Sequence, residues 1–193
     1  MITAYILNNK VLDIVTLGPD DIVPDNTVWL DAYKPDTAER EWLTGLFLEE
    51  VPDKEELDDI EASARFYWDT DGLHIHSLFP QRIGRDTKGV HVSFTLRNNL
   101  LISIREDDIG LVRLLRHYMR QDRLEVENAL DILLEVQNLK VEYLSDLIED
   151  GYKTLEKFGG SEALAQRNVR LWAGWQYDAD HYAAFLRGAS DVY

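Results

Sequence analysis

The chain contains no cysteine among its 193 residues. Disulfide bonds and thiolate metal sites are therefore excluded, and the composition fits a reducing compartment. Long apolar runs are also missing, because no segment approaches the roughly 18 to 20 consecutive apolar residues of a membrane-spanning helix. The N-terminus, MITAYILNNK, has neither the basic start nor the apolar run of a signal peptide. We therefore expect this chain to be soluble and cytosolic, with no membrane span of its own.

Positive charge is scarce, with 20 Lys and Arg against 36 Asp and Glu and a formal net charge of −16. Nucleic acids and anionic membrane surfaces bind positively charged patches, so we expect neither as a partner. The acidity attracts cations or basic partners, although acidity alone also serves solubility. Enzyme signatures are missing as well: the sequence has no nucleophile elbow, Walker loop, dinucleotide fingerprint or zinc-hydrolase helix. Catalysis is therefore not expected.

What the chain does contain is enough apolar residues to form a core, 45% of the total. Their spacing in the first 122 residues predicts three short strands, at 2–7, 11–17 and 28–32, and two hairpins, 62–68 with 73–79 and 90–96 with 100–104. The second hairpin alternates apolar with polar residues, which predicts one buried face. Helices are predicted at 38–48, at the acidic segment 51–61 and at 109–120.

A long helix is predicted from about residue 125 to 158. Its apolar residues recur at alternating spacings of four and three, with lapses at Gln137 and Gly151; they are Leu130, Leu134, Val141, Leu144, Ile148 and Leu155. The segment 159–193 is rich in aromatic residues and lacks this repeat. We thus predict an α/β domain at 1–122, a long helical segment at 123–158 and an atypical tail at 159–193. The predicted fold is a mixed β-sheet sandwiched by helices, followed by a long C-terminal helical arm.

The acidic turn Asp69-Thr70-Asp71-Gly72 joins the strands of the first hairpin, and Gly72 closes it. Its two carboxylates are the oxygen ligands that Mg²⁺ and Ca²⁺ prefer. The turn lacks the further ligands of a calcium-binding EF-hand loop. Taken alone, these residues favour an ordinary hairpin turn, with a metal site as the alternative.

His74 and His76 lie two residues apart on a predicted strand, so their side chains share one face. Paired imidazoles suit zinc or iron, with Asp69 or Asp71 as a third ligand, and this pattern is the basis of an alternative hypothesis, a metal-dependent enzyme. No second His or Cys pair completes such a site, so we favour a packing role for both histidines. The acidic segment 53–61 is likewise interpreted as a solvated face, whose charge would still attract divalent cations.

The string EASARF, the acidic turn and DGLHIHS together resemble the N-terminal cytoplasmic domain of CorA-type magnesium transporters. Weaker similarity covers about residues 1–158, and the strings that carry it are Trp29-Leu30-Asp31, Lys34-Pro35-Asp36, Glu39-Arg40, Phe94-Thr95-Leu96-Arg97, Ile104-Arg105-Glu106 and the helix from Ala129. The resemblance implies an α/β sandwich on the cytoplasmic side of the cell membrane, followed by long helices.

The resemblance also implies a function. Five such subunits form a funnel, and Mg²⁺ between neighbouring cytosolic domains holds the pore closed. The sensing carboxylate falls on Asp69 or Asp71, regulatory Mg²⁺ is the implied cofactor, and the implied partners are other subunits of the same transporter. The two membrane helices and their Gly-Met-Asn signature are not in this chain, so it is expected to regulate ion flow without conducting ions. The remaining alternative is a pure oligomerisation module built on the long helix.

Overall fold

The computed structural model describes residues 1–8, 11–46, 66–70, 72–84, 86–121 and 124–157. Its strands are β1 (Ile2–Asn8), β2 (Val11–Leu17), β3 (Thr27–Tyr33), β4 (Phe66–Asp69), β5 (Gly72–Ile83), β6 (Asp86–Arg97) and β7 (Leu100–Arg105). Its helices are α1 (Thr37–Thr44), α2 (Gly110–Arg120) and α3 (Ala129–Lys157). The chain divides into two compact units, Met1–Val136 and Gln137–Tyr193. The domain boundaries at residues 122 and 158 stay predictions.

The first unit contains a seven-stranded mixed sheet in the order β2-β1-β3-β7-β6-β5-β4. β3 and β7 pair in parallel, and the other neighbouring strands pair antiparallel. The α/β fold class predicted from the sequence is confirmed. The predicted segments 51–61 and 159–193, and the first residues of the predicted strand 62–68, lie outside the described residues.

The helices begin where polar side chains satisfy free backbone N–H groups. Asp36 precedes α1 and accepts a hydrogen bond from the Glu39 N–H at 2.9 Å, while the Glu39 carboxylate accepts one from the Asp36 N–H at 3.0 Å. This reciprocal capping box defines the start of α1. Before α3, Asn128 Oδ1 accepts from the N–H groups of Leu130 and Asp131. The long helix therefore begins at Ala129, a few residues after the predicted start.

One face of the sheet, the α1 face, packs against α1 around an apolar cluster. The cluster consists of Ile2, Ala4, Leu17, Leu30, Ala32, Ile102 and Ile104 with Leu43 of α1. The opposite face, the α2 face, contains Tyr5, Trp29 and Asp31, and Arg116 of α2 reaches Asp31 there. Both faces of the central strands are covered, so β3 and β7 are almost entirely buried.

β5 and β6 are longer than predicted, at 12 residues each. Their antiparallel pairing continues beyond the apolar stretches to Ile83↔Asp86. The added pairs include Gln81↔Lys88 and Arg82↔Thr87, whose polar side chains interrupt the apolar alternation used to predict strand ends. The turn predicted between β6 and β7 is confirmed, with Asn98 at φ 46° and Asn99 at φ 64°.

The buried stripe at the start of α3 differs from the predicted heptad seam. Ala129, Ile132, Leu133 and Val136 are buried, whereas Leu130 and Leu134 of the seam are only half-buried. Further along the helix, Val141 of the seam is 36% exposed. Two other seam positions, Gln137 and Leu144, are buried, so the predicted seam is buried only in part. A leucine repeat alone does not show which residues of a helix become buried. Among the described residues, no helix combines the length and apolarity needed to cross a membrane.

Candidate functional site

The β4–β5 hairpin ends in the acidic turn predicted from the sequence. Asp69 pairs with Gly72 across the turn, and its Oδ1 accepts a hydrogen bond from the Gly72 N–H at 3.2 Å. Gly72 has a φ of +125°, and a Cβ on it would lie 2.3 Å from the backbone oxygen of Leu96 on β6. Because only glycine fits this conformation and this space, Gly72 determines where the Asp69 carboxylate lies.

Strand register brings five polar side chains together on the α1 face. They lie on β4, β5 and β6, whereas the strand residues of the apolar cluster lie on β1, β2, β3 and β7. Residues directly opposite each other on neighbouring strands point to the same face. The pairs Tyr67↔His74, His74↔Thr95 and Thr95↔Ile102 therefore connect β4 to the face that holds Ile102. We define the hairpin cluster as Tyr67, Asp69, His74, His76 and Thr95.

His74 is held by three neighbours in the hairpin cluster. Its Nε2 lies 2.9 Å from Asp69 Oδ1, and since a carboxylate only accepts, this nitrogen donates. Its Nδ1 lies 3.1 Å from the Thr95 hydroxyl, and the Tyr67 ring stacks on the imidazole with centroids 4.7 Å apart. Both ring nitrogens are therefore engaged with protein atoms, which leaves neither for a metal ion in this arrangement.

His76 lies in a different environment on the same face. Its side chain is 7% exposed, and its Nδ1 has no hydrogen-bond partner among the residues described. Burial, together with the nearby imidazoles of His74 and His91, lowers the pKa of His76 from 6.5 to about 4. The ring is therefore neutral at pH 7 and packs near Tyr67, whose ring centroid lies 5.9 Å away.

These contacts decide between the two interpretations of the histidines. In the described part of the chain, no three His, Asp or Glu side chains come together as they would around a metal ion. His74 and His76 are packed in a strand face, as we favoured, and the geometry does not support a metal pair. Asp69 is 21% exposed and paired with His74. Asp71, the other candidate ligand, lies outside the described residues.

Sequence reasoning missed a buried charge network on the α2 face. Asp31 is fully buried and accepts hydrogen bonds from Arg105 Nε at 3.0 Å, Arg105 Nη2 at 2.9 Å, Ser103 Oγ at 2.9 Å and Arg116 Nη2 at 2.5 Å. Burial alone would lower the pKa of Arg105, but the hydrogen bonds and negative charge of Asp31 outweigh it and raise that pKa. One carboxylate thus faces two guanidinium groups across β3, β7 and α2.

The signal for this network was present in the sequence. β3 and β7 are apolar strands that each carry one charged residue in or beside the core, Asp31 in TVWLDAY and Arg105 in LLISIR. A charge in a buried strand requires a partner of opposite charge. The presence of Asp31 therefore predicted a positively charged partner, and the presence of Arg105 predicted a negatively charged one. Other residues in the strings that carried the resemblance are also structural: Arg40 of α1 pairs with Glu106, and Asp36 caps α1.

Comparison with known proteins identifies the family. Residues 24–161 match the family model described as CorA-like Mg²⁺ transporter protein. The chain belongs to the CorA-like magnesium transporter family. It is 37% identical over 180 residues to the magnesium transport protein CorA of Yersinia pseudotuberculosis, covering 93% of this chain and 55% of that protein. It is also 37% identical over 159 residues to the Escherichia coli K12 CorA, covering 81% of this chain and 50% of that protein.

Solved structures agree on the fold of this CorA-like chain. The soluble domain of CorA from Methanocaldococcus jannaschii superposes with a TM-score of 0.56 at 18% identity, covering 92% of this chain and 72% of that one. The cytoplasmic domain of ZntB from Vibrio parahaemolyticus gives a TM-score of 0.62 at 13% identity, covering 84% of this chain and 66% of that one. The chain spans about half the length of the CorA relatives it matches. The matched family is described as one of Mg²⁺ transporters, which gives no support to the metal-dependent enzyme hypothesis.

Proposed function

We propose that this CorA-like chain is the cytoplasmic regulatory domain of a magnesium transporter. In this proposal, the carboxylates of Asp69 and Asp71 bind Mg²⁺ at the boundary with a neighbouring subunit. Bound Mg²⁺ favours the closed arrangement of the subunits, and its loss lets them separate. The domain itself conducts no ions and lies on the cytoplasmic side of the cell membrane.

The observation that carries the proposal is the position of the acidic turn. β4 is the last strand of the sheet among the described residues, and Asp69 ends it at the turn. A ligand or a second subunit can approach the outer end of a sheet without rearrangement of the core, although only 21% of the Asp69 side chain is exposed and its Oδ2 is buried. The hydrogen bonds from the Gly72 N–H and the His74 ring hold that carboxylate in place, which reduces the entropy lost when a cation binds.

The physical coupling is electrostatic. Acidic groups brought together by two subunits repel one another, and a divalent cation between them offsets that repulsion. Mg²⁺ keeps several of its waters in proteins and needs only one or two carboxylates, so a two-Asp turn suffices on one side of the boundary. Cation binding is then linked thermodynamically to the arrangement of the subunits.

The two carboxylates are not expected to contribute equally. Asp69 Oδ1 already accepts hydrogen bonds from the Gly72 N–H and the His74 ring. A cation that drew on this oxygen would have to compete with both donors. We therefore expect the substitution Asp71→Asn to weaken Mg²⁺ binding more than Asp69→Asn does.

The test measures mass and thermal stability of the purified chain with and without about 10 mM Mg²⁺ at constant ionic strength. At a Mg²⁺ concentration ten times its Kd, binding should stabilise the folded chain by about 1.4 kcal/mol and increase its association. The double substitution of Asp69 and Asp71 by Asn should remove both effects. Asp20→Asn is the matched control, because Asp20 is an exposed turn carboxylate elsewhere in the chain.

Two outcomes would contradict the proposal. The first is a wild-type chain whose mass and melting temperature do not respond to Mg²⁺. The second is a double variant that responds as the wild type does. The assembly-module alternative rests on the half-buried Leu130 and Leu134 and the exposed Val141 of α3. It predicts association that is the same with and without Mg²⁺, so the same mass measurement separates the two.

A further inference from the structure

Among the residues that the structure describes, β2 is an open edge of the sheet. It lies at the end of the strand order opposite to β4 in the described part of the chain, and it pairs with β1 alone. The pairing runs over seven residues without a register shift. Proteins commonly protect such an edge with a lysine, a proline, a bulge or a very short strand. β2, with the sequence VLDIVTL, has no lysine, proline or bulge and is seven residues long, and its one charged side chain is Asp13.

The register shows which backbone groups of β2 point outward. The Leu7 N–H donates to Asn26 and the Tyr33 N–H donates to Met1, so odd-numbered residues of β1 face β3. Even-numbered residues of β1 therefore face β2, and the register pairs them with Val11, Asp13, Val15 and Leu17. The N–H and C=O groups of Leu12, Ile14 and Thr16 consequently face away from the sheet. These groups can form backbone hydrogen bonds with a further strand, either antiparallel or parallel to β2.

Apolar side chains flank this row of free backbone groups on both sides. Val11 is 56% exposed, Val15 is 42% exposed, and both lie on the α1 face. Ile14 is 37% exposed and lies on the α2 face, opposite Tyr5. An added strand would cover these three side chains while it satisfied the backbone groups.

Charge indicates which strand would fit. Residues 11–26 contain four acidic residues and no Lys or Arg; the four are Asp13, Asp20, Asp21 and Asp25. Pairing of β2 with β2 of a second copy would bring two such acidic segments together and would add like charge to a chain of net charge −16. A segment with basic side chains would instead be attracted to the edge.

We propose that the outer edge of β2 is a docking edge for an extended peptide segment of another protein that carries basic side chains. The segment adds to the sheet as an eighth strand beside β2. Its backbone pairs with Leu12, Ile14 and Thr16, its apolar side chains cover the exposed valines, and its lysines or arginines meet the aspartates. This docking is independent of Mg²⁺ binding at the other end of the sheet.

The probe is a capped nine-residue peptide that alternates valine with lysine, added to the full chain and followed by fluorescence anisotropy and amide hydrogen exchange. Exchange at Leu12, Ile14 and Thr16 should slow by about tenfold or more when the peptide is bound. Thr16→Pro removes one outward donor and should weaken binding by about tenfold or more, whereas the matched variant Thr16→Ala should bind within about twofold of the wild type.

Val15→Lys tests the charge component without removing a backbone donor, and it should weaken binding of the lysine peptide severalfold. It also keeps the test decisive should Thr16→Pro fail to fold. The proposal is overturned if a peptide with glutamate in place of lysine binds equally well, or if exchange slows elsewhere and not at β2. It is also overturned if the chain self-associates through this edge, seen as a dimer that Thr16→Pro abolishes.

Discussion

The stability of this CorA-like chain should fall in mild acid because of one buried side chain, His76. In the folded protein, burial and two neighbouring imidazoles lower its pKa to about 4, whereas in the unfolded chain its pKa returns to 6.5. Between these values the unfolded state binds more protons than the folded state. Stability contributed by neutral His76 is therefore fully present above pH 6.5 and is lost as the pH falls toward 4.

The size of the effect follows from the two pKa values. Each pKa unit corresponds to about 1.4 kcal/mol, so the difference limits the loss to about 3 kcal/mol below pH 4. At pH 5 the same linkage gives a loss of about 2 kcal/mol relative to pH 7. For a domain of ordinary stability, about 5 to 15 kcal/mol, such a loss is readily measured.

The assay is urea unfolding of the wild type and of His76→Gln at pH 7, 6 and 5. The variant is less stable at pH 7 if packing is lost, but the comparison concerns only the change with pH. His76→Gln should lose about 2 kcal/mol less than the wild type between pH 7 and 5. His117→Gln, at an exposed position on α2, is the matched control and should follow the wild type. Equal losses in the wild type and His76→Gln would refute the reasoning.

Two further predictions concern the scaffold, and urea unfolding at pH 7 measures both. Gly72→Ala places a Cβ 2.3 Å from the Leu96 oxygen and should cost more than about 3 kcal/mol, whereas Gly84→Ala, at φ +64° with no atom within 4 Å, should cost only about 1 kcal/mol. Similar losses at the two glycines would show that the close approach to β6 is unimportant. Asp31→Asn leaves the buried Arg105 guanidinium without its countercharge and should cost about 3 to 5 kcal/mol. Asp31→Leu combined with Arg105→Met should recover only part of that loss, because Arg116 still loses its partner Asp31. A loss below about 1 kcal/mol for Asp31→Asn alone would contradict this account.

Most strands and helices of the described residues could be predicted from sequence patterns. Strands that are apolar throughout or alternate in polarity were found within one or two residues of their bounds, because burial of one or both faces determines these patterns. The ends of β5 and β6 were missed where polar pairs such as Gln81↔Lys88 continue the ladder. There, backbone hydrogen bonds maintain the strand without any apolar signal.

The candidate site was predictable in part. Gly72 and the acidic turn followed from local turn chemistry, which operates over four residues. The environment of His74 did not, because its partner Thr95 lies 21 residues away in sequence and becomes its neighbour only through strand register. The link between Asp31 and Arg105 spans 74 residues, and only the argument that buried charges need partners could have suggested it. Whether Asp69 or Asp71 binds a cation stays a prediction.

The parallel pair β3–β7 has a consequence for how the sheet forms. Among the described strands, β1 to β3 pair only with one another on one side, β4 to β7 do so on the other, and β3–β7 is the one ladder between the two groups. Each group can assemble from sequence neighbours, but this ladder must close across a long stretch of chain, so we expect its closure to be the slow step of folding. The Ser103 hydroxyl bonds both Trp29 and Asp31, so it selects the register at which the two groups join. Substitutions within either group should therefore mainly change the folding rate, because their contacts already exist when the ladder closes.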